Sequence, residues 1–181
     1  MESSGAQTVT DKTALDWLPD LLEFDWNQYQ ESLDRAYVAF QRDFSNTSRL
    51  PEFRGKRLAL KRHPELDGKS ATFWHIVTEG NVEEYRTPSR ERIERIMWPK
   101  KLLDEAGQAA GRVHVWSNER QRATHSKSTR WVIALADFSY VVVLDERDDY
   151  VLLWTAYPVG QQHQRSKLQR EFDAWSRAQK C

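Results

Sequence analysis

From residue 25 to 44 apolar side chains return at three- and four-residue steps, at Trp26, Tyr29, Leu33, Ala36, Tyr37, Phe40 and Phe44. That spacing predicts an amphipathic helix with one aromatic-rich face. Upstream, residues 1–11 are small and polar and carry no periodic signal. Asp11 or Thr13 is a candidate cap for a short helix towards Leu22, which Pro19 would kink or end. The run Ser45-Asn46-Thr47-Ser48 stops the helical pattern and reads as a linker. It divides the chain into a helical extension, 1–47, and a second domain, 48–181.

Residues 56–61 alternate cations with Leu58 and Leu60, as a short strand with one buried face would. His63-Pro64 and Asp67-Gly68 mark a turn. Residues 72–79 admit two readings. Ser70 can cap a helix closed by Gly80, yet Ile76, Val77 and Thr78 are β-branched and suit a strand. Thr87-Pro88 is a helix start, with Ile93, Ile96 and Met97 inward and a break at Trp98-Pro99. Residues 113–116 read as a strand. Between Trp116 and Trp131 no bulky apolar residue occurs, which predicts a loop. Three β-rich runs follow, 130–136, 140–145 and 150–157, parted by connections short enough for an antiparallel meander. A closing helix over 162–178 turns Leu168, Phe172 and Trp175 inward. Helices first, then an antiparallel sheet with packed helices, is an α+β fold.

Charge changes this picture along the chain rather than in total. Lys and Arg number 27, as do Asp and Glu. Residues 1–50 nevertheless hold four basic and nine acidic side chains, and the remainder carries a net of +5. The second domain therefore favours an anionic partner, and the acidic first part can either screen it or face solvent. The one cysteine, Cys181, offers no internal disulfide or thiolate metal site, which makes a reducing, cytoplasmic setting the expectation. No apolar run approaches the ~18 residues that span a bilayer, so no membrane partner is expected.

Candidate chemistry gathers in residues 73–99. His75 titrates near neutral pH, so it can both accept and donate a proton. It also fits a hydrogen-bonded histidine at a core edge. On a helix, Glu79 lies one turn from His75 and could orient its ring. A metal on this pair lacks a third ligand at a diagnostic spacing. Arg86, Arg90, Arg92, Arg95 and Lys100 supply donors for phosphate oxygens, or pair with Glu91 and Glu94 on a solvated helix, as Arg90 is expected to do. Arg86 precedes a helix cap, where anions gather. Strict alternation puts Thr155 and Tyr157 on one face at the end of the last strand, opposite Trp154 and Ala156. The cations Arg120, Arg122, Lys127 and Arg130 in and beside the polar loop could close on a polyanion.

Several of these segments together carry a resemblance: Thr72-Phe73-Trp74-His75, Thr78-Glu79-Gly80, Arg86-Thr87-Pro88, Arg92 to Arg95 with Trp98, and Leu153 to Pro158 before a basic helix. They resemble phage- and prophage-associated members of the metal-independent ribonuclease superfamily that groups barnase, EndoU, the tRNA-cutting colicins and RelE-like toxins. The resemblance covers about residues 54–175. It implies a helical segment on a four- to five-stranded antiparallel sheet with RNA, either tRNA or mRNA, lying across it. It further implies cleavage by 2′-hydroxyl transesterification with no metal or cofactor, in a toxin or phage-conflict protein with a neutralising protein partner. His75, with Glu79, would serve as base or acid. Arg86, Arg95 and Arg130 would stabilise the phosphorane, Thr155 and Tyr157 would position it, and Arg92, Lys100, Arg120, Arg122 and Lys127 would hold RNA. The alternative is a non-catalytic RNA- or protein-binding module using the same basic face.

Overall fold

The computed structural model describes residues 15–48, 51–108, 111–121 and 127–180, the side chains of residues 120, 121 and 127 excepted. The candidate caps Asp11 and Thr13 therefore lie outside the described residues. Residues 15–25 form a turn and an extended stretch where a short helix was expected. The Asp25 carboxylate then accepts from the amide of Asn27 and starts a single 3-10 turn, Trp26–Gln28. Helix α1, Tyr29–Phe44, continues from it and buries Leu33, Ala36, Phe40 and Phe44, the expected three- and four-residue face. Trp26 is the exception, half-exposed and stacked on Tyr29.

Helix α1 is part of the main core. Phe40 lies 5.5 Å and Tyr37 4.9 Å from Phe73, ring centre to ring centre. Phe24, Leu33, Phe40 and Phe44 share one apolar cluster with the sheet residues Ile133, Val142, Leu144 and Leu153. Asp34 of α1 also pairs with the nearly buried Lys69 at 2.7 Å. The described part of the acidic extension is thus built into the second domain through hydrophobic burial.

The sheet has six strands: β1 Glu52–Phe53, β2 Lys56–Ala59, β5 Val113–Gln121, β6 Lys127–Leu135, β7 Tyr140–Glu146 and β8 Tyr150–Pro158, in the order β1-β2-β8-β7-β6-β5. The expected antiparallel meander is there in β6 to β8, and the long β5 adds a fourth antiparallel strand to it. The sheet as a whole is mixed, because β2 runs parallel to β8, and its six strands exceed the expected four to five. The polar stretch after Trp116 is also no loop as far as it is described. Strands β5 and β6 stay in register from Val113↔Leu135 out to Gln121↔Lys127. The polar side chains there are no sign of a loop: Ser117, Asn118 and Arg130 are half-buried and Ser128 is buried, while the backbone ladder satisfies its own hydrogen bonds.

Between β2 and β5 the chain makes three helices and a small ribbon. Helix α2, Ala71–Val77, starts with the Ser70 hydroxyl accepting from Phe73 N. The next residue after the helix, Thr78, is already extended, so residues 72–79 are helix and then strand. Strand β3, Thr78–Glu79, pairs antiparallel with β4, Thr87–Pro88. Thr87-Pro88 therefore precedes a helix rather than starting it: α3, Arg90–Glu94, begins after Ser89. Trp98-Pro99 opens helix α4, Trp98–Glu105, where a break was expected. Proline lacks an N–H that the first turn does not use, so it is tolerated there. Ile93, Ile96 and Leu102 are fully buried.

Helix α5, Gln162–Ala178, covers part of the opposite face of the sheet. Its Leu168, Phe172 and Trp175 are half-buried against Trp116, Val132, Ala134 and Val141, which form a second apolar cluster. The Trp175 indole donates to Ser117 Oγ at 3.1 Å and anchors the helix. No helix among the described residues is long and apolar enough to cross a membrane. Phe73, fully buried among Tyr37, Phe40 and Trp74, joins α1 to α2. We expect Phe73→Ala to lower unfolding free energy by about 3–5 kcal/mol in urea titration.

Candidate functional site

Strand β2 pairs with only the first part of β8, Tyr150 to Leu152. Beyond it the edge of β8 is taken by the C-terminal end of α2, where Thr155 Oγ1 donates to the carbonyl of His75 at 3.3 Å. The register of β8 against β7 also shifts here, with Leu144 opposite Leu153 and Val143 opposite Thr155. Trp154 is the extra residue of a β-bulge, so strict alternation fails. Leu153 and Ala156 point into the core. Trp154, Thr155 and Tyr157 all line a cleft of about 570 Å³ on the other side. The expectation that Trp154 opposes Thr155 is corrected by that one added residue.

Glu79, Asn81 and Arg92 form one wall of this cleft, and Asn118, Gln164, Lys167 and Glu171 contribute from the β5 and α5 side. Arg130 shares it, with its guanidinium 4.8 Å from the Trp154 ring centre. Arg92 lies 5.2 Å over the Tyr157 ring, and its Nε stands 4.0 Å from Glu79 Oε2. Among the described residues Nη1 of Arg92 is buried without a hydrogen-bond partner. Burial, and then the charge of Arg86, push the Arg92 pKa below its ordinary value. A buried, crowded guanidinium of this kind gains from an anion placed beside it.

Arg86 itself does not reach the cleft. Its guanidinium donates to the carbonyls of His75, Thr78 and Gly80 and to Thr78 Oγ1. These acceptors run from the end of α2 to the residue just past β3, so Arg86 acts as a clamp that holds the helix terminus against the strand that follows it. Gly80, at φ +139°, allows this turn: a Cβ there would sit 3.2 Å from Arg86 Cα.

His75 stands at the rim rather than on the wall. Its ring is 5.3 Å from Trp154, and Nδ1 lies 3.6 Å from Glu83 Oε2. Glu79, expected as its orienting partner, falls in β3 and faces Arg92, because α2 ends at Val77. Glu83 takes that place. Burial lowers the pKa of His75, the Arg86 charge lowers it further, and Glu83 offsets part of the effect.

The structure brings Glu79, Arg92, Arg130, Thr155 and Tyr157 together, with His75 beside them. It does not bring Arg95 or Lys100 there. Arg95 donates to the Glu91 carbonyl, packs 5.1 Å over Trp98 and lines a separate groove with Asp16 and Asp20. Lys100 pairs with Asp104 at 2.6 Å, close to Phe53 and Arg54. Arg122 and the side chains of Arg120 and Lys127 lie outside the described residues. Sequence reading missed Trp154, Glu83, Asn118, Lys167 and Glu171. Trp154 was hidden by the bulge, and the others carry no spacing that separates them from solvated surface residues.

Among the described residues no three histidine, cysteine or carboxylate side chains converge as a metal ion requires. Compared with known proteins, the chain matches no family model, no curated protein and no solved structure.

The His75 shift has a signed consequence. A histidine whose folded pKa lies below its ordinary 6.5 binds fewer protons folded than unfolded. Stability is fully present above pH 6.5 and falls as pH drops through the window below it. We expect the His75 ring to titrate below 6.5 by NMR, and the acid-side loss of melting temperature to shrink in His75→Gln.

Proposed function

We propose that this protein is a metal-independent endoribonuclease that cleaves tRNA or mRNA by attack of a ribose 2′-hydroxyl on the adjacent phosphorus. The observation that carries the reading is the convergence of Arg92, Arg130, Thr155 and Tyr157 on one sheet-floored cleft, with a largely neutral imidazole at its rim. A phosphorane gathers negative charge on its equatorial oxygens, and fixed guanidinium donors are the side chains that best offset it.

In this reading His75 takes the 2′-hydroxyl proton, since its lowered pKa leaves it unprotonated at neutral pH. The 2′-oxygen bonds to phosphorus, the bond to the 5′-oxygen breaks, and that oxygen receives a proton from the Tyr157 phenol, which lies under the Arg92 cation. The products are a 2′,3′-cyclic phosphate and a 5′-hydroxyl. Arg92 and Arg130 hold the phosphate, Thr155 positions it, and Glu79 keeps the Arg92 guanidinium oriented. Arg86 and Arg95, expected on the phosphorane, have no part in it: the first is committed to backbone carbonyls and the second lies in another groove. The toxin or phage-conflict role and the neutralising partner rest on the sequence resemblance, the cytoplasmic setting rests on the single cysteine, and all three belong to the same proposal.

The test is incubation of the purified protein with labelled tRNA and mRNA in EDTA. We expect cleavage that persists, with a rate that rises with pH through a value below 6.5 and then levels. Arg92→Ala and His75→Ala should each reduce the rate by roughly 10²–10³-fold, while Arg95→Ala stays within about twofold. RNA that is bound but left intact by the native protein assigns the cleft to the non-catalytic binding module instead.

A further inference from the structure

Ala71, Trp74 and Thr78 stand at helical spacing along one side of α2 and floor a second hollow, of about 450 Å³. It shares no lining residue with the cleft. Pro64 and Leu66 from the connection before α2, with Pro88 of β4, complete its apolar part. Leu66 is more than half exposed, as are Val82 and Tyr85, which flank the hollow's Glu83 and Glu84 in the chain. Exposed apolar side chains grouped in this way mark an interaction site.

The exposure of Leu66 is fixed by the fold. Leu66 and Lys69 exchange both backbone hydrogen bonds around the Asp67-Gly68 turn, at 3.1 and 2.9 Å. The Leu66 carbonyl also accepts from the Trp74 indole at 2.9 Å, and Lys69 is held by Asp34 of α1. An apolar anchor already held in place loses little freedom when it is covered.

Charge selects what covers it. Lys61 marks the end of the hollow beside the first turn of α2, where its amide donates to Thr72 Oγ1 at 2.8 Å. Glu83 and Glu84 mark the other end, where Glu83 stands 3.6 Å from His75 near the end of the helix. Among the described residues neither the Lys61 ammonium nor the Glu84 carboxylate has an ion pair or a hydrogen bond. Arg86 also lines the hollow, but its donors are spent on backbone carbonyls and Thr78 Oγ1. A polyanion would meet Glu83 and Glu84, and a polycation would meet Lys61. A surface with a cation at one end, carboxylates at the other and an apolar middle is complementary to its own copy turned through half a rotation.

We propose that this hollow is the contact of a twofold dimer of the chain. The apolar middle of one copy, with Leu66 as its anchor, covers that of the other, and Lys61 of each copy faces Glu84 of the partner subunit. In such an interface the same ion pair occurs twice. The proposal does not depend on what the cleft binds.

The test is sedimentation equilibrium of the full chain over a wide range of concentration. We expect the average mass to rise from that of one chain towards that of two. Leu66→Glu changes an exposed position, so it should keep the melting temperature of the dilute protein. It should weaken association at least about tenfold, because it sets a carboxylate in the apolar middle. Lys61→Glu puts a carboxylate at both ends, and Glu84→Lys puts an ammonium at both. Each of these variants alone should lose association by a similar factor. An equimolar mixture of the two should regain it to within about threefold of the native protein, because every end then meets its opposite. A mass of one chain at every concentration overturns the proposal. So does association that survives Leu66→Glu, or a mixture of the two charge variants that stays monomeric.

Discussion

The Arg86 guanidinium closes the end of α2, and the arrangement of the cleft depends on that closure. A seven-residue helix cannot satisfy its last carbonyls internally. Here Arg86, just before β4 in the small ribbon, reaches back to one of them, His75 O, and to Thr78 O, Thr78 Oγ1 and Gly80 O in the chain that follows the helix. The close approach is eased because residue 80 has no Cβ and takes a φ of +139° that side-chain-bearing residues rarely adopt. Once closed, the terminus offers His75 O to Thr155 as well, and this fixes α2 against the bulged edge of β8. His75, Glu79 and Arg92 take their places relative to Trp154 and Tyr157 as a result.

The same charge sets the electrostatics. Arg86 stands near both His75 and Arg92, and it lowers the pKa of each in addition to the effect of burial. Glu83 and Glu79 answer part of that positive field, one from each side. The balance favours the neutral form of the imidazole and strains the Arg92 guanidinium, a condition in which an incoming anion is favoured. Structural and chemical roles are therefore divided between arginines. Arg86 spends its donors on backbone, and Arg92 and Arg130 hold theirs near aromatic faces, where cation–π contact orients them at modest cost.

Much of the fold was legible because periodicity reports burial. The face of α1, the span of α5 and the meander β6 to β8 all follow from apolar spacing that the core then uses. What was illegible depended on partners distant in sequence. The pairing of β2 with β8 joins residues about ninety apart, and nothing local signals that it is parallel. Pro99 was read as a break, although the same residue suits a first turn. The ribbon beyond Trp116 looked like a loop because side-chain polarity was taken as a guide to backbone order. At the site, His75, Thr155 and Tyr157 stood out by residue type. The bulge at Trp154 and the ending of α2 at Val77 did not, and these two features decide which side chains share the cleft.

The central claim is that the cleft floored by β8 and walled by Glu79 and Arg92 is where a nucleic-acid phosphodiester is held. The most direct measurement is a crystal structure of the protein with a short RNA carrying a 2′-deoxy sugar at the scissile position, which blocks the internal nucleophile. The account predicts a phosphate within hydrogen-bond reach of Arg92 and the Tyr157 hydroxyl, with the preceding base beside Trp154. An oligonucleotide seated instead in the groove of Arg95 and Arg165, or on the outer faces of the β5–β6 ribbon with the cleft bypassed, would contradict it.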